Sequence, residues 1–331
     1  LRLVGALMAA AVTAYLFIWA VYGFRYAAIP GGLHPLHLEQ VMPDKNTALA
    51  GIAAFIADHR LFPEAWLYGQ LYVLKYLTRT TFLFGQSSDD GFWAYFPVAF
   101  LVKTPLPTIA FLIAGAWMLV RRRLDRARAL FLLIPAAVYF TLAVWSRANI
   151  GLRYILPIYP FLFVLAGAAA AELWKRGRWM KQGVLVLGVW LAWSCISTYP
   201  HYLAYFNELV GGPKNGYKVL LDSNLDWGQD LKGLKRWMDA HGVKKIKFLY
   251  FGFIDPEYYG IDASFLDYSW IAYDPPATQT PEPFQYVAMN VHLLYGLSGD
   301  FPAAKLFRTQ RPVAVIGHSI FIYKLDGSEI R

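Results

Sequence analysis

Five apolar runs, separated in two places by short arginine-rich loops, constrain this chain more than any other feature. The runs are 3–24, 97–120, 129–145, 154–174 and 183–199. A bilayer hydrocarbon core about 30 Å thick is crossed by about 20 helical residues, so each run is read as a membrane span. The third and fifth have 17 residues each, which predicts snorkelling flanks or local thinning. Residues 121–128 hold five Arg and one Asp, and residues 175–181 hold four Lys or Arg, so the two loops carry eight of the nine net positive charges. Basic loops between apolar runs mark the cytoplasmic side, which predicts that the loop 25–96 and the tail 200–331 both lie outside. Cations gathered in this way argue against nucleic acid as a partner, which would select a basic face or groove. With 57% hydrophobic and 16% charged residues, a soluble globular protein is the poorer explanation.

Run 3–24 lacks a small-residue cleavage site followed by a polar start and is therefore read as a span, not a signal peptide. The chain starts at Leu1 and enters this run by its third residue, so it is expected to be part of a longer protein. Cys195 is the single cysteine, so no disulfide can form within the chain. From residue 200 onward 13 Lys and Arg balance 14 Asp and Glu, and turn residues punctuate the sequence, as in a water-exposed domain. Its pattern predicts strands at 217–221, 245–251, 286–289, 313–316 and 320–323, and a helix over 230–240 ending at Gly242. In the first outside loop Leu67, Leu71, Leu74 and Leu77 recur at helical spacing among Tyr68, Tyr72 and Tyr76. That is an amphipathic helix, placed either on the membrane surface or against the spans.

Four cations lie where the topology predicts few: Arg25, Lys103, Arg147 and Arg153, all at the outer ends of spans. They are the candidates for a lipid-phosphate site, Arg by bidentate contact and Lys as a point charge. The competing use is snorkelling beside an aromatic belt formed by Trp93, Tyr95, Phe96 and Trp145. Two proline breaks sharpen the first reading. Residues 103–107 (KTPLP) and 156–160 (LPIYP) cannot be regular helix interior, and irregular backbone at membrane depth is tolerated in protein or along a cavity. Both breaks stand beside one of these cations.

Three ordered motifs then carry a resemblance: 91–107 (GFWAYFPVAFLVKTPLP), 150–160 (IGLRYILPIYP) and 221–231 (LDSNLDWGQDL). From about residue 60 onward the chain resembles the C-terminal part of a bacterial glycosyltransferase family 39 protein. Such proteins are relatives of the dolichyl-phosphate-mannose protein mannosyltransferases and of the lipid A aminoarabinose transferase. The resemblance implies a polytopic α-helical membrane protein of GT-C architecture, here with about five transmembrane helices and a C-terminal extracytoplasmic α/β domain. It also implies residence in a bacterial inner membrane and transfer of a sugar from a polyprenyl-phosphate donor to an acceptor protein, lipid or glycan, with no cofactor. In that family the catalytic acid is an Asp of the first outside loop. Residues 25–32 hold no acid, so that role is not carried over, and the acid is expected upstream of Leu1.

An acceptor hydroxyl needs a base, and the phosphate leaving group needs facing cations, a role that fits Lys103 and Arg153. Among the acids of the first loop, Asp89 and Asp90 form the one pair to test. Tyr154, Asp222, Asn224, Asp226 and Trp227 are the candidate sugar or acceptor contacts. Asp222, Asn224 and Asp226 imitate the start of a calcium loop, but Gly is displaced to 228 and position twelve is Gly233, so Asn224 or Asp226 is expected to cap the next helix instead. His34 and His37 near Glu39 have zinc-like spacing, broken by Pro35, and no metal is assigned. A non-catalytic lipid- or glycan-binding protein is the alternative. A transporter is disfavoured because no ionisable group falls near the middle of a run.

Overall fold

The computed structural model describes residues 2–29, 36–43, 47–75, 80–146, 148–252, 254–265, 284–297 and 302–325. The chain divides into two compact units, Leu1–Thr78 and Arg79–Arg331.

The first unit holds α1 (Arg2–Val21), α2 (Ala48–Asp58) and α3 (Glu64–Lys75). Leu, Ala and Val surround α1 on every side, and none of the window Val4–Val21 is buried, as expected of a helix that faces lipid. The Tyr15 hydroxyl and the Trp19 indole both donate to the Leu61 carbonyl, at 2.8 and 3.3 Å. Thr47 starts α2 by accepting the Ala50 N–H at 3.2 Å. The predicted leucine stripe is α3, and it is divided: Leu67 and Leu71 are buried with Val41 and Ala53, whereas Leu74 is exposed. Part of the stripe therefore packs on α2, its neighbour in sequence. Leu77 lies outside the described residues.

In the second unit β1 (Thr81–Leu83) and β2 (Gln86–Ser88) form a hairpin ahead of α4 (Tyr95–Lys103). The span read as 97–120 is not one helix. α4 stops at Lys103 and α5 (Leu106–Val120) leaves at 111° to it. Pro105 supplies the break, because it has no N–H and excludes the helical conformation at Thr104, which is extended at ψ 131°. The carbonyls freed by the bend are taken by fully buried Asn207. Its amide donates to Leu101 O at 2.6 Å and Thr104 O at 2.8 Å, and its own N–H donates to Val102 O at 2.8 Å.

α6 (Arg126–Trp145) starts three residues earlier than the sequence pattern suggests, with Asp125 capping the Arg128 N–H at 3.2 Å. α8 (Arg178–Thr198) likewise starts five residues earlier. These helices have 20 and 21 residues, because their basic ends continue the helix beyond its apolar middle. Between them, residues 152–158 form a tight 3-10 segment around Pro157 that continues into α7 (Tyr159–Trp174). Among the described residues four helices are long and apolar enough to cross a membrane, or five if α4 and α5 count as one bent span.

α5 to α8 form a bundle. The Thr104 and Tyr159 hydroxyls meet at 2.8 Å, so α5 and α7 start at the same end and run in the same direction. The turns 121–125 and 175–177 therefore lie together at the opposite end. There Arg126 donates to Leu119 O and Val120 O, at 3.0 and 2.9 Å, closing the last turn of α5.

The tail adds α9 (Leu231–Ala240), β3 (Lys245–Leu249), β4 (Asp262–Phe265), β5 (Tyr286–Asn290), α10 (Val291–Leu294), α11 (Pro302–Arg308), β6 (Ala314–Ile316) and β7 (Ile320–Lys324). The sheet order is β4-β3-β5-β7-β6, with β3 parallel to β4 and β5, and β7 antiparallel to β5 and β6. Four of the five predicted strands and the predicted helix are present. The fifth, 217–221, is instead the end of a 3-10 segment (Pro213–Lys218) followed by one bridge from Leu220 to Leu83. Gly216 explains the difference. Its carbonyl accepts the Val219 and Leu220 N–H groups at 2.9 and 3.0 Å, so these donors close a turn instead of a strand ladder, and a Cβ there would stand 2.1 Å from the Phe206 ring. Residue 199 is no border in packing: one apolar core joins Tyr95, Phe96 and Ile155 to Leu220, Val287 and Phe321.

Candidate functional site

The three sequence motifs meet at Asn224. Its Nδ2 donates to the Tyr95 hydroxyl and to Leu221 O, both at 2.9 Å. Its Oδ1 accepts the Leu152 N–H at 3.0 Å, and its carbonyl accepts the Lys103 ammonium at 2.6 Å. One buried residue thus joins both ends of α4, the 3-10 segment before α7 and the turn 222–224. Gly151 permits the approach, because a Cβ there would fall 2.1 Å from Ser223 Oγ, which donates to Ile150 O at 2.9 Å. Nearby, Asn149 accepts the Phe92 N–H at 2.7 Å.

The predicted phosphate cations separate. Lys103 turns inward. It is 8% exposed, its ammonium donates to Leu203 O at 2.7 Å as well as to Asn224 O, and it lies 4.3 Å from the Phe206 ring centre. In this position it fastens the chain after α8 to the turn 222–224, and two of its three donors are occupied. The bend at Pro105 leaves Lys103 at the bundle end opposite the basic turns but turns its side chain into the protein. Arg153 is exposed instead. Its guanidinium lies 4.7 Å from the Trp227 ring and 5.4 Å from the Tyr154 ring, with no hydrogen bond or ion pair among the described residues. Arg25 is exposed in the turn after α1 and belongs to the first unit, and Arg147 lies outside the described residues.

The candidate contacts also divide. Trp227 is about half exposed beside Arg153. Asp222 is partly exposed and has a left-handed backbone, φ 58°, uncommon for a residue with a side chain. Its N–H donates to His292 Nδ1 at 3.1 Å, and its own carboxylate accepts the Ser223 N–H at 2.5 Å. Burial pushes the His292 imidazole down to about 3, so the ring is neutral and Nδ1 can accept. Asn224 and Asp226 cap no helix. Asp226 accepts the Gly228 N–H at 2.8 Å and the Asn290 amide at 3.0 Å. Burial, with Asp230 close by, pushes its carboxyl up to about 6.

These oxygens face different partners and build no cage, and among the described residues no group of three His, Cys, Asp or Glu could hold a metal. His37 pairs with Glu39 at 3.1 Å on the surface, and His34 lies outside the described residues. Asp89 accepts the Thr80 hydroxyl at 2.7 Å.

Sequence reading missed Asn207, Asn290 and His292, which hold the site from behind. It also missed His201 and Ser319, which flank Asp230. The one available signal was the four-residue spacing of Asp226 and Asp230 within a single motif.

Comparison with protein families, curated proteins and solved structures finds no match for this chain.

Proposed function

We propose that this chain is the C-terminal portion of a membrane glycosyltransferase that moves a sugar from a polyprenyl-phosphate donor to an acceptor on the extracytoplasmic face. The observation that carries the reading is Arg153: an exposed guanidinium, flanked by Trp227 and Tyr154 and without a polar partner among the described residues, at the bundle end opposite the basic turns. A planar fork with its donors open suits a phosphate, and flanking aromatic faces suit a sugar or a prenyl chain. The lipid-facing bundle beside it suits a donor that travels in the bilayer. If the basic turns are cytoplasmic, this end is extracytoplasmic.

Arg153 would hold the donor phosphate and stabilise the charge that develops on it as the glycosidic bond breaks. Trp227, Tyr154 and the partly exposed Asp222 would contact sugar or acceptor. Lys103, Asn224 and His292 hold these groups in place.

The test is binding of undecaprenyl phosphate to the full chain in lipid nanodiscs, followed by transfer from undecaprenyl-phosphate sugars. Arg153→Ala is expected to weaken binding about tenfold or more without lowering the thermal midpoint, since the side chain is exposed. Equal binding by wild type and variant would remove the phosphate assignment. Binding without turnover of any donor would favour a lipid-binding accessory protein.

A further inference from the structure

Three cations of the tail stand together on α9. Lys232, Lys235 and Arg236 are three and four residues apart, so the helix sets them side by side. Like charges at these spacings repel, and little in the fold relieves them. Lys235 pairs with Asp239, whereas Lys232 and Arg236, both exposed, form no ion pair among the described residues. Arg236 Nε donates to the Lys232 carbonyl at 3.3 Å, which leaves its two terminal nitrogens without a hydrogen bond among the described residues. The buried side of the helix fixes this orientation. Leu231, Leu234 and Met238 pack on Ile246, Phe248 and Ala288 of the sheet, and a Cβ at Gly233 would fall 2.5 Å from Ile316.

A second element completes a recess beside these cations. The 3-10 turn Pro256–Tyr259 starts where the Asp255 carboxylate accepts the Glu257 N–H at 2.9 Å, and it ends at Gly260, φ 70°. Pro256 and Ile261 are buried on either side, which holds Tyr259 beside α9. The Lys232 ammonium lies 5.9 Å from the Tyr259 ring centre, and a Cβ at Gly260 would fall 3.3 Å from Lys235 Cε. Lys232, Lys235, Arg236 and Tyr259 line one open recess of about 380 Å³. The acids of these two elements are Asp239, Asp255 and Glu257, and none of them pairs with Lys232 or Arg236.

Its place in the fold indicates what can enter. Val287, Met289, Phe321 and Tyr323 of the sheet face the core shared with α4 and the 3-10 segment before α7. Ile246, Phe248, Ala288 and Ile322 face α9. The helix therefore covers the side of the sheet turned away from the bundle core, which favours a ligand arriving from water over a headgroup of the same bilayer. Lys232 is nevertheless only five residues from Trp227, at most about 18 Å of chain. Trp227 is the ring beside Arg153.

We propose that this recess binds a saccharide bearing a carboxylate or a phosphate, and that this saccharide belongs to the acceptor. The ammonium and guanidinium ends take the anion, and the Tyr259 ring and the lysine stems give the sugar an apolar wall. The acceptor role rests on the glycosyltransferase reading: the donor phosphate is held at Arg153 while the charged part of the acceptor is held on α9.

Calorimetry on the full chain in phosphatidylcholine nanodiscs tests the site, with glucose 6-phosphate, trigalacturonic acid, glucose and inorganic phosphate as probes. At least one of the two anionic sugars should bind about tenfold or more tighter than glucose and than inorganic phosphate. The double variant Lys232→Gln/Arg236→Gln should weaken that binding about tenfold or more at an unchanged thermal midpoint, since both side chains are exposed. It should bind undecaprenyl phosphate as wild type does. Absence of binding by both anionic sugars, equal binding by the double variant, or inorganic phosphate bound as tightly as the sugars would overturn the saccharide site. Native mass spectrometry from nanodiscs containing phosphatidylglycerol should find the same number of bound lipids in both proteins. Loss of a bound phosphatidylglycerol in the double variant would give the recess to a headgroup and overturn the proposal. Sugar binding that persists in a wild type unable to bind undecaprenyl phosphate would remove the glycosyltransferase reading and the acceptor role with it, leaving a glycan-binding membrane protein.

Discussion

The Lys103 ammonium donates to the main-chain carbonyl of Asn224 at 2.6 Å, joining residues 121 positions apart across the junction of bundle and tail. The same ammonium holds Leu203 O, so one charged group ties three chain segments at their crossing. A charge that the sequence places at a membrane surface is thus used to hold the fold together. Its replacement should be read first in stability.

Lys103→Met keeps the aliphatic stem and removes both hydrogen bonds, leaving the buried Asn224 carbonyl and the part-buried Leu203 carbonyl without this donor. Stability should fall by about 2–4 kcal/mol, measured as a loss in thermal midpoint in detergent. An unchanged midpoint would mean that the ammonium is needed elsewhere.

Asn224→Leu removes three side-chain hydrogen bonds at once, to Tyr95, Leu221 and Leu152. A loss of about 2–4 kcal/mol is expected, with hydrogen exchange at the Leu152 amide faster than in wild type. Retained protection at Leu152 would show that the junction does not depend on this amide.

Gly151→Ala drives a methyl into Ser223 Oγ and should cost about 1–3 kcal/mol. In a Ser223→Ala background the same change should cost clearly less, because the nearest atom left is the Ser223 Cβ at 3.3 Å. Additive costs in the double-mutant cycle would contradict the contact.

The Asp226 carboxyl stands near 6 in the folded chain, pushed up by burial and by Asp230, against about 4 when unfolded. A raised value means the neutral acid is the form the fold prefers. Its contribution is therefore present below pH 4 and lost as pH rises through about 6. Thermal midpoints of wild type relative to Asp226→Asn should decline between pH 4 and pH 7, by the equivalent of about 3 kcal/mol at most. Parallel curves would mean that Asp226 does not titrate in this window.

The helices were legible because a segment able to cross a membrane is apolar along most of its length, and β3, β5, β6 and β7 because short runs rich in β-branched and aromatic residues stand between turn residues, β5 and β7 being buried on both faces. Helix ends were misjudged where basic residues continue α6 and α8 past their apolar part. Residues 217–221 failed as a strand because a short, mostly apolar segment fits any partly buried chain, and only the structure shows the Val219 and Leu220 N–H groups turned back onto Gly216 O, with Gly216 against the Phe206 ring.

By itself, the sequence determined that apolar helices alternate with two basic turns, that Pro105 and Pro157 break them, and that the tail folds around a sheet. These follow from local chemistry: hydrophobic length, missing backbone donors and side-chain period. The tertiary structure decided which cation is presented and which is buried, since a 111° bend turns Lys103 into the core while Arg153 stays outside between Trp227 and Tyr154. It also decided that Asp230 stands behind His201, an encounter of two residues 29 positions apart made by a hairpin from the far end of the chain. Such contacts depend on bends and close approaches that no local pattern records, because the energy fixing them comes from partners distant in sequence.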